Sequence, residues 1–246
     1  MDARLAAAVM DNARWCHLVS AANGIPGRFD EDAWVSPRRT PPMYPDAVTL
    51  TVDASGPSLL ARIDSSVGCS IKDSFASMDL APAGFDVLFH AAWIASDGAR
   101  LRGRGPLRWD RVTRPAELRS WALDHGGGSI FSPALLEEAN VTILSAFDRG
   151  GRRRAGAIAT EGDTAVGISN VFATGPGRVG DTAAFANAFT GAAAAIGGLY
   201  PGRPIVGYLA GERLAAAQSA GFEPIGPLRV WLRHGAPAGS SAILPT

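Results

Sequence analysis

The chain has 246 residues, 47% hydrophobic and 19% charged, enough for one large domain or two small ones with real cores. Lysine plus arginine equals aspartate plus glutamate at 23 each, so a net charge of zero offers no general attraction to nucleic acid or to an anionic membrane. Two cysteines, Cys16 and Cys69, cannot build a disulfide framework or a four-cysteine metal site, and they point to a reducing cytoplasm. The first residues lack a signal-peptide core, and no run approaches the ~20 apolar residues of a bilayer span.

Residues 4–22 read as a helix with Leu5, Val9, Cys16 and Val19 on one face and Asn23-Gly24 as its stop. Residues 25–46 are rich in Pro, Gly, Arg and Asp and read as a long irregular arm, pinned by Trp34 and Tyr44. A strand at Ala47–Val52 follows, then a helix at Pro57–Asp64 with Ser55 as N-cap, and a strand at Cys69–Phe75. A helical turn at Leu80–Ala83 and a strand at Asp86–Ile94 complete a first unit, residues 1–100. Lys72 and Asp73 interrupt the apolar pattern of their strand. Side chains alternate across a strand, so only one of the two can point inward, and an inward charge suggests function.

The glycine-arginine linker Ser96–Gly105 is the best boundary in the chain. The second unit, residues 106–234, opens with a strand at Leu107–Val112 and a helix at Arg114–His125, capped by Thr113 and ended by Gly126-Gly127-Gly128. A short helix at Pro133–Glu138 leads into strands Val141–Phe147 and Ala155–Thr160, a hairpin around the arginine-glycine turn at residues 149–154. Thr164–Phe172 continues the meander. Then come a helix at Thr182–Ile196 bearing Phe185, Phe189, Ala193 and Ile196, a strand at Pro204–Leu209, a helix at Glu212–Ala220 and a strand pair in Pro224–Arg233. Residues 235–246 read as a disordered tail.

The sequence Gly175-Pro176-Gly177-Arg178-Val179-Gly180 lies between a strand and a helix, where backbone N–H groups and a helix N-terminus can meet a diphosphate. It matches the dinucleotide fingerprint formally. That reading ranks low: no acid ends the next strand, Pro204–Leu209, and antiparallel strands precede the loop. A faint repeat sets Ala47–Leu50 against Ala165–Ile168, Gly84-Phe85 against Gly221-Phe222, and Phe89–Trp93 against Leu228–Trp231. It aligns Lys72-Asp73 with Gly207-Tyr208.

The element order of Pro106–His234, with Ala215-Ala216-Ala217-Gln218-Ser219-Ala220-Gly221-Phe222 as an alanine-rich helix ending in Gly-Phe, resembles the GNAT superfamily of acyltransferases. The first unit resembles a shortened, degenerate copy. The resemblance implies an α/β fold with a mixed sheet, built as two tandem GNAT-like units, with acetyl-CoA or another acyl-CoA as cosubstrate. It implies a gap between Gly167–Phe172 and Ile205–Leu209 that takes the pantetheine arm along the backbone of Val171, Phe172 and Ala173. Gly177, Arg178, Val179, Gly180 and Thr182 are then expected at the diphosphate. Asp181, and the spacing of Arg178 two residues before Gly180, depart from the family loop; Ala217 stands where many members carry a tyrosine acid.

The expected reaction moves an acyl group to a small-molecule amine by direct attack, which needs a base, a polarised carbonyl and an acid. Tyr208 is the candidate acid, Ser169 and Asn170 line the expected gap, and Asp73 is placed opposite it by the repeat. The alternatives are a catalytically silent binding protein, or an enzyme acting on a carrier-protein thioester by transfer, hydrolysis or decarboxylation. His90 reads as a core histidine. His17, His90, His125 and His234 show no metal spacing. Monomer and homodimer both remain open.

Overall fold

The computed structural model describes residues 2–98, 101, 105–175 and 181–234. Helix α1 (Ala3–Ala22) starts where the Asp2 side chain accepts from Arg4 N at 2.8 Å and ends where Asn23 donates to Val19 O and Ile130 O. The arm that follows is not wholly irregular. It holds a short hairpin, β1 (Arg28–Phe29) and β2 (Ala33–Val35), which adds to β3 (Ala47–Thr49). Trp34 is fully buried under α1, and its indole N–H donates to His17 Nδ1. The rest of the first unit is helix α2 (Gly56–Leu60), strand β4 (Ser70–Asp73), a 3-10 turn at Ala81–Ala83 and the long strand β5 (Asp86–Ser96).

The remaining elements are β6 (Arg108–Arg111), α3 (Pro115–His125), two 3-10 turns at Gly128–Ile130 and Pro133–Leu136, β7 (Val141–Phe147), β8 (Arg153–Glu161), β9 (Val166–Ala173), α4 (Thr182–Leu199), β10 (Ile205–Leu209), α5 (Arg213–Ser219) and β11 (Glu223–Leu232). Arg114, not Thr113, occupies the N-cap position of α3 and has no side-chain cap; Glu117 reaches back to the Thr113 N–H instead. Gly126, at φ +91°, ends this helix in the left-handed conformation that glycine adopts without strain. The last segment is one strand rather than two. Its prolines are absorbed by an irregularity between Pro224 and Gly226 in the pairing with β5.

Among the described residues eleven strands form one mixed sheet in the order β1-β2-β3-β4-β11-β5-β10-β9-β8-β7-β6. The two sequence units are therefore interleaved: β11 lies between β4 and β5, and β5 lies between β11 and β10. Two parallel pairs, β3 with β4 and β9 with β10, flank the central antiparallel strands. Helices α4 and α5 cover one face at one end, where Phe185, Phe189 and Ile196 pack on Ile94, Leu144, Val166 and Ile205. Helix α2 and the Ala81–Ala83 turn cover the same face at the other end over Ala47, Ile71 and Trp231. Helix α1 crosses the middle of the opposite face, against Trp93, Ala95, Val206 and Leu228, with α3 beside it.

Contrary to the sequence expectation, α4 is by length and composition long and apolar enough to cross a membrane. Here its apolar side faces the sheet through Phe185, Phe189, Ala192, Ala193 and Ile196, as a core helix does. His90 is exposed on β5 rather than part of the core. Cys16 and Cys69 are unpaired and buried.

Candidate functional site

Strands β9 and β10 are joined by only two parallel pairs, Val166–Ile205 and Gly167–Val206. Beyond them β9 runs on to Ala173 and β10 to Leu209 with no pairing across the gap. The strands stay in contact one step further and then part at a bulge. At Gly207 the chain lies so close to the Ile168 carbonyl that a Cβ would come within 2.7 Å of its oxygen. At Asn170 the backbone takes φ +52°, and β9 carries an extra residue against β8 between the pairs Ser169–Ile158 and Phe172–Gly156. A bulge of this kind bends its strand and re-aims its peptide groups.

The gap opens into a cavity of about 490 Å³. Its α4 side is apolar: Ile168, Val171, Phe185, Phe189 and Leu209. Its polar groups gather on the α1 side, where Asp11, Asn12, Tyr44, Lys72, Ser169, Asn170 and Tyr208 stand among Ala8, Trp15 and Cys16. A second cavity, about 510 Å³, adjoins it and shares Met43, Tyr44, Lys72, Phe89 and Tyr208.

Asp11 projects from α1 onto β9. Its carboxyl accepts from Thr160 Oγ1 at 2.6 Å and lies where a Cβ on Gly167 would be, 1.9 Å from Oδ2. Burial pushes its pKa up to about 7; the Thr160 hydroxyl, the Arg14 charge and the Gly167 N–H each pull it back in part. A carboxyl poised near neutrality can both take and hold a proton. Asp11 is not among the residues expected from sequence. The available signal was the pair Asp11-Asn12 interrupting an apolar helix face between Ala8-Val9 and Ala13.

Lys72 is buried at 3% exposure, and its ammonium donates to Asn12 Oδ1 at 2.7 Å and sits 4.1 Å from the centre of the Tyr208 ring. Tyr208 packs edge-on against Trp93, and among the described residues its hydroxyl has no hydrogen-bond partner. Asn170 Nδ2 donates to Ser169 Oγ at 2.9 Å. The Tyr44 hydroxyl is buried and makes no well-formed hydrogen bond among the described residues; burial pushes the group up from its ordinary range, and the nearby Trp15 and Asn170 side chains pull it back in part. His125 lines the cavity wall, stacked on Trp121, and burial pushes it down to about 4, so it is neutral at pH 7.

Asp73 does not join this group. It is fully buried, and its carboxylate accepts from the Ser77 and Met78 N–H groups at 3.1 and 3.0 Å, holding the turn after β4. The sequence alignment of Lys72-Asp73 with Gly207-Tyr208 does not follow the two parallel ladders. By ladder position Ile71 and Lys72 match Ile205 and Val206, so Asp73 matches Gly207 and not Tyr208. A slip of one residue exchanges the two faces of a strand. Lys72 therefore faces α1 and the cavity, whereas Asp73 faces away.

Of the residues expected at a CoA arm, Val171 lines the cavity, Phe172 turns its ring into the aromatic cluster of Trp121 and His125, and Ala173 pairs with Ala155. Thr182 begins α4 and donates its hydroxyl to Glu212 Oε2 at 3.0 Å. Asp181 caps this helix, accepting from Ala184 N at 2.9 Å. Gly177, Arg178, Val179 and Gly180 lie outside the described residues. Arg213 was not foreseen; it starts α5 at the cavity edge, its guanidinium 4.5 Å from the Phe185 ring centre. Ala217 is fully buried beneath α4 and offers no polar group. Among the described residues no group of three His, Cys, Asp or Glu side chains is placed to hold a metal.

No protein-family model matches the chain, and no curated protein matches it in sequence. Solved structures do match in shape. A GCN5-related N-acetyltransferase from Kribbella flavida superposes with a TM-score of 0.61, 15% identical, over 93% of this chain and 96% of that one. The fold is GNAT-like. A conserved protein of unknown function from Staphylococcus epidermidis matches at a TM-score of 0.56, 10% identical, over 85% of this chain and 93% of that one. An acetyltransferase candidate of the GNAT family from Novosphingobium aromaticivorans matches at 0.53, 13% identical, over 92% and 99%. At such identities the likeness establishes architecture, and function has to be argued from the site.

Proposed function

We propose that the protein is an acyl-CoA-dependent N-acyltransferase that moves an acyl group, acetyl in the simplest case, from CoA to a small amine. The observation that carries this reading is the parting of β9 from β10 above a cavity that holds the near-neutral Asp11. The unpaired edge of β9 suits an extended pantetheine arm, as an added strand suits any open sheet edge. Val171, Phe172 and Ala173 would supply its backbone partners. Gly177, Arg178, Val179 and Gly180, with Thr182 and Arg213, would meet the diphosphate.

Acyl-CoA supplies an activated thioester, whose acyl carbon bonds to the amine nitrogen as its carbon–sulfur bond breaks. The chain's own groups then have distinct tasks. Asp11 takes the proton that the amine loses. The Tyr208 hydroxyl returns a proton to the departing sulfur, a task Ala217 cannot perform. The bulge at Asn170 turns β9 amides toward the gap, where they polarise the carbonyl, and Ser169 orients the acceptor beside it.

We read residues 1–100 and 106–234 as two tandem units of one fold, the first reduced. Each has a two-pair parallel ladder, and the last strand of each is seated beside the other unit. A second reading, a GNAT-fold binding protein without catalysis, draws on Ala217.

Thermal shifts with acetyl-CoA, CoA and NAD test the ligand class, since a ligand of the native state raises its melting point. Acetyl-CoA and CoA are expected to raise it and NAD to leave it unchanged. Thiol release across an amine panel separates transfer from silent binding. A protein that binds no CoA species overturns the proposal.

A further inference from the structure

Lys72 is the feature that acyl transfer alone leaves unexplained. Its ammonium has three donors, yet among the described residues it meets one acceptor, Asn12 Oδ1, and one ring face, Tyr208. It forms no ion pair there, although it is buried at 3% exposure. A desolvated cation without a counter-ion is costly, and the cost is offset when a ligand brings the opposite charge. The other charges near the second cavity are already spent: Arg39 pairs with Asp46 at 2.6 Å, and Asp46 also accepts from the Thr40 and Ser70 N–H groups.

The position of Lys72 is equally telling. It lines both cavities at their junction, and Tyr44 lines both as well. Asp11 stands on the other flank, over Gly167 at the root of the gap. Beyond Lys72 the second cavity is walled by Met43, Leu88, Phe89, Val230 and Leu232.

We propose that Lys72, helped by the Tyr44 hydroxyl, binds a carboxylate of the substrate, so that the acceptor is a small amine carrying a carboxylate and an apolar body, such as an apolar amino acid. This rests on the acyltransferase reading for its site and extends it to the acceptor. The amine is directed to Asp11, the carboxylate to Lys72, and the apolar body to the second cavity. A carboxylate on the acyl group of a dicarboxylic acyl-CoA would use the same nitrogen, and the test separates the two sources.

Calorimetry on the full chain compares L-leucine with L-leucinamide and L-phenylalanine with its amide, without CoA. A parallel arm compares succinyl-CoA with acetyl-CoA. The acids should bind about tenfold or more tightly than the amides, as expected of a charge-assisted contact. K72M should abolish that preference, K72R should keep part of it, and Y44F should weaken it. The wild-type comparison needs no variant, so a misfolded K72M leaves the result readable. Preference in the amino-acid arm places the carboxylate on the acceptor; preference confined to succinyl-CoA places it on the acyl group. Equal binding of acids and amides together with equal binding of the two acyl-CoAs, acid preference surviving in K72M, or no binding of any carboxylate at millimolar concentration overturns the assignment. Failure of acetyl-CoA and CoA to bind, with acid preference intact, would instead overturn the acyltransferase reading and leave Lys72 as a carboxylate site.

Discussion

The two parallel strand pairs of this sheet begin alike and end differently. Each is a ladder of two pairs, Ala47–Ile71 and Val48–Lys72 in β3 and β4, Val166–Ile205 and Gly167–Val206 in β9 and β10. Beyond the ladder the first pair is stitched shut. Ser74 N donates to Thr49 Oγ1 at 2.8 Å, the Trp93 indole donates to Ser74 O at 2.7 Å, and Asp73 ties down the following turn. Neither cavity is lined by Thr49, Asp73 or Ser74. Beyond the second ladder Gly207 still lies close against the Ile168 carbonyl, and the bulge at Asn170 then turns β9 away. The helices differ in step: α2 has five residues, α4 eighteen. One fold element thus makes either a closed joint or a slot, depending on whether a side chain bridges the strands or a bulge turns them away.

The sharpest test of the open side is D11N. Loss of a general base typically costs about 10²–10⁴-fold in turnover. The wild-type rate should rise with pH through about 7, as Asp11 loses its proton, and this limb should vanish in the variant while CoA binding persists. The same substitution has a stability signature. The folded pKa of about 7 lies above the ordinary 3.8, so proton binding favours the fold below 3.8, and that contribution is lost as pH rises through about 7. D11N should therefore gain melting temperature relative to the wild type as the pH is raised from about 4 to about 7, and the difference should level off above that. A thermal scan at several pH values that finds the opposite trend would contradict the burial of this carboxyl.

The next effect comes from forcing the open side. G207V would drive a side chain into the Ile168 carbonyl. It should cost about 1–3 kcal/mol by denaturant unfolding, as overpacking does, and abolish the acetyl-CoA shift. On the closed side, T49V leaves the Ser74 N–H without its acceptor, which should cost about 1–3 kcal/mol. It should leave CoA affinity unchanged, and a large change there would show that the first pair takes part in binding CoA. The smallest effect is expected for R213A. This exposed cation should contribute a few-fold to CoA affinity, and titrations in rising salt should erase the difference between variant and wild type.

Most elements were legible because they are locally coded. Phe185, Phe189 and Ile196 repeat at helical spacing, and Val141–Phe147 is a short, mostly apolar run ahead of a glycine-rich turn; both lie where those patterns put them. The hairpin in the arm was not, because two- and three-residue strands carry no period and owe their pairing to β3. The single β11 was hidden by prolines that a neighbouring strand accommodates. At the site, Tyr208, Ser169 and Asn170 were picked from their strands, and all three line the cavity. Asp73 was picked from a sequence alignment of the two halves, and it lies on the other face, tied into the turn after β4.

By itself the amino-acid order determined which segments become helix or strand and which side chains alternate, since propensity, spacing and turn residues act over a few neighbours. It could not decide that β11 and β5 would lie side by side between β4 and β10, nor that Asp11 of the first helix would settle on Gly167, 156 positions later in the chain. Those meetings depend on which apolar faces bury one another. The same burial raises the pKa of Asp11 and leaves Lys72 without a counter-ion among the described residues.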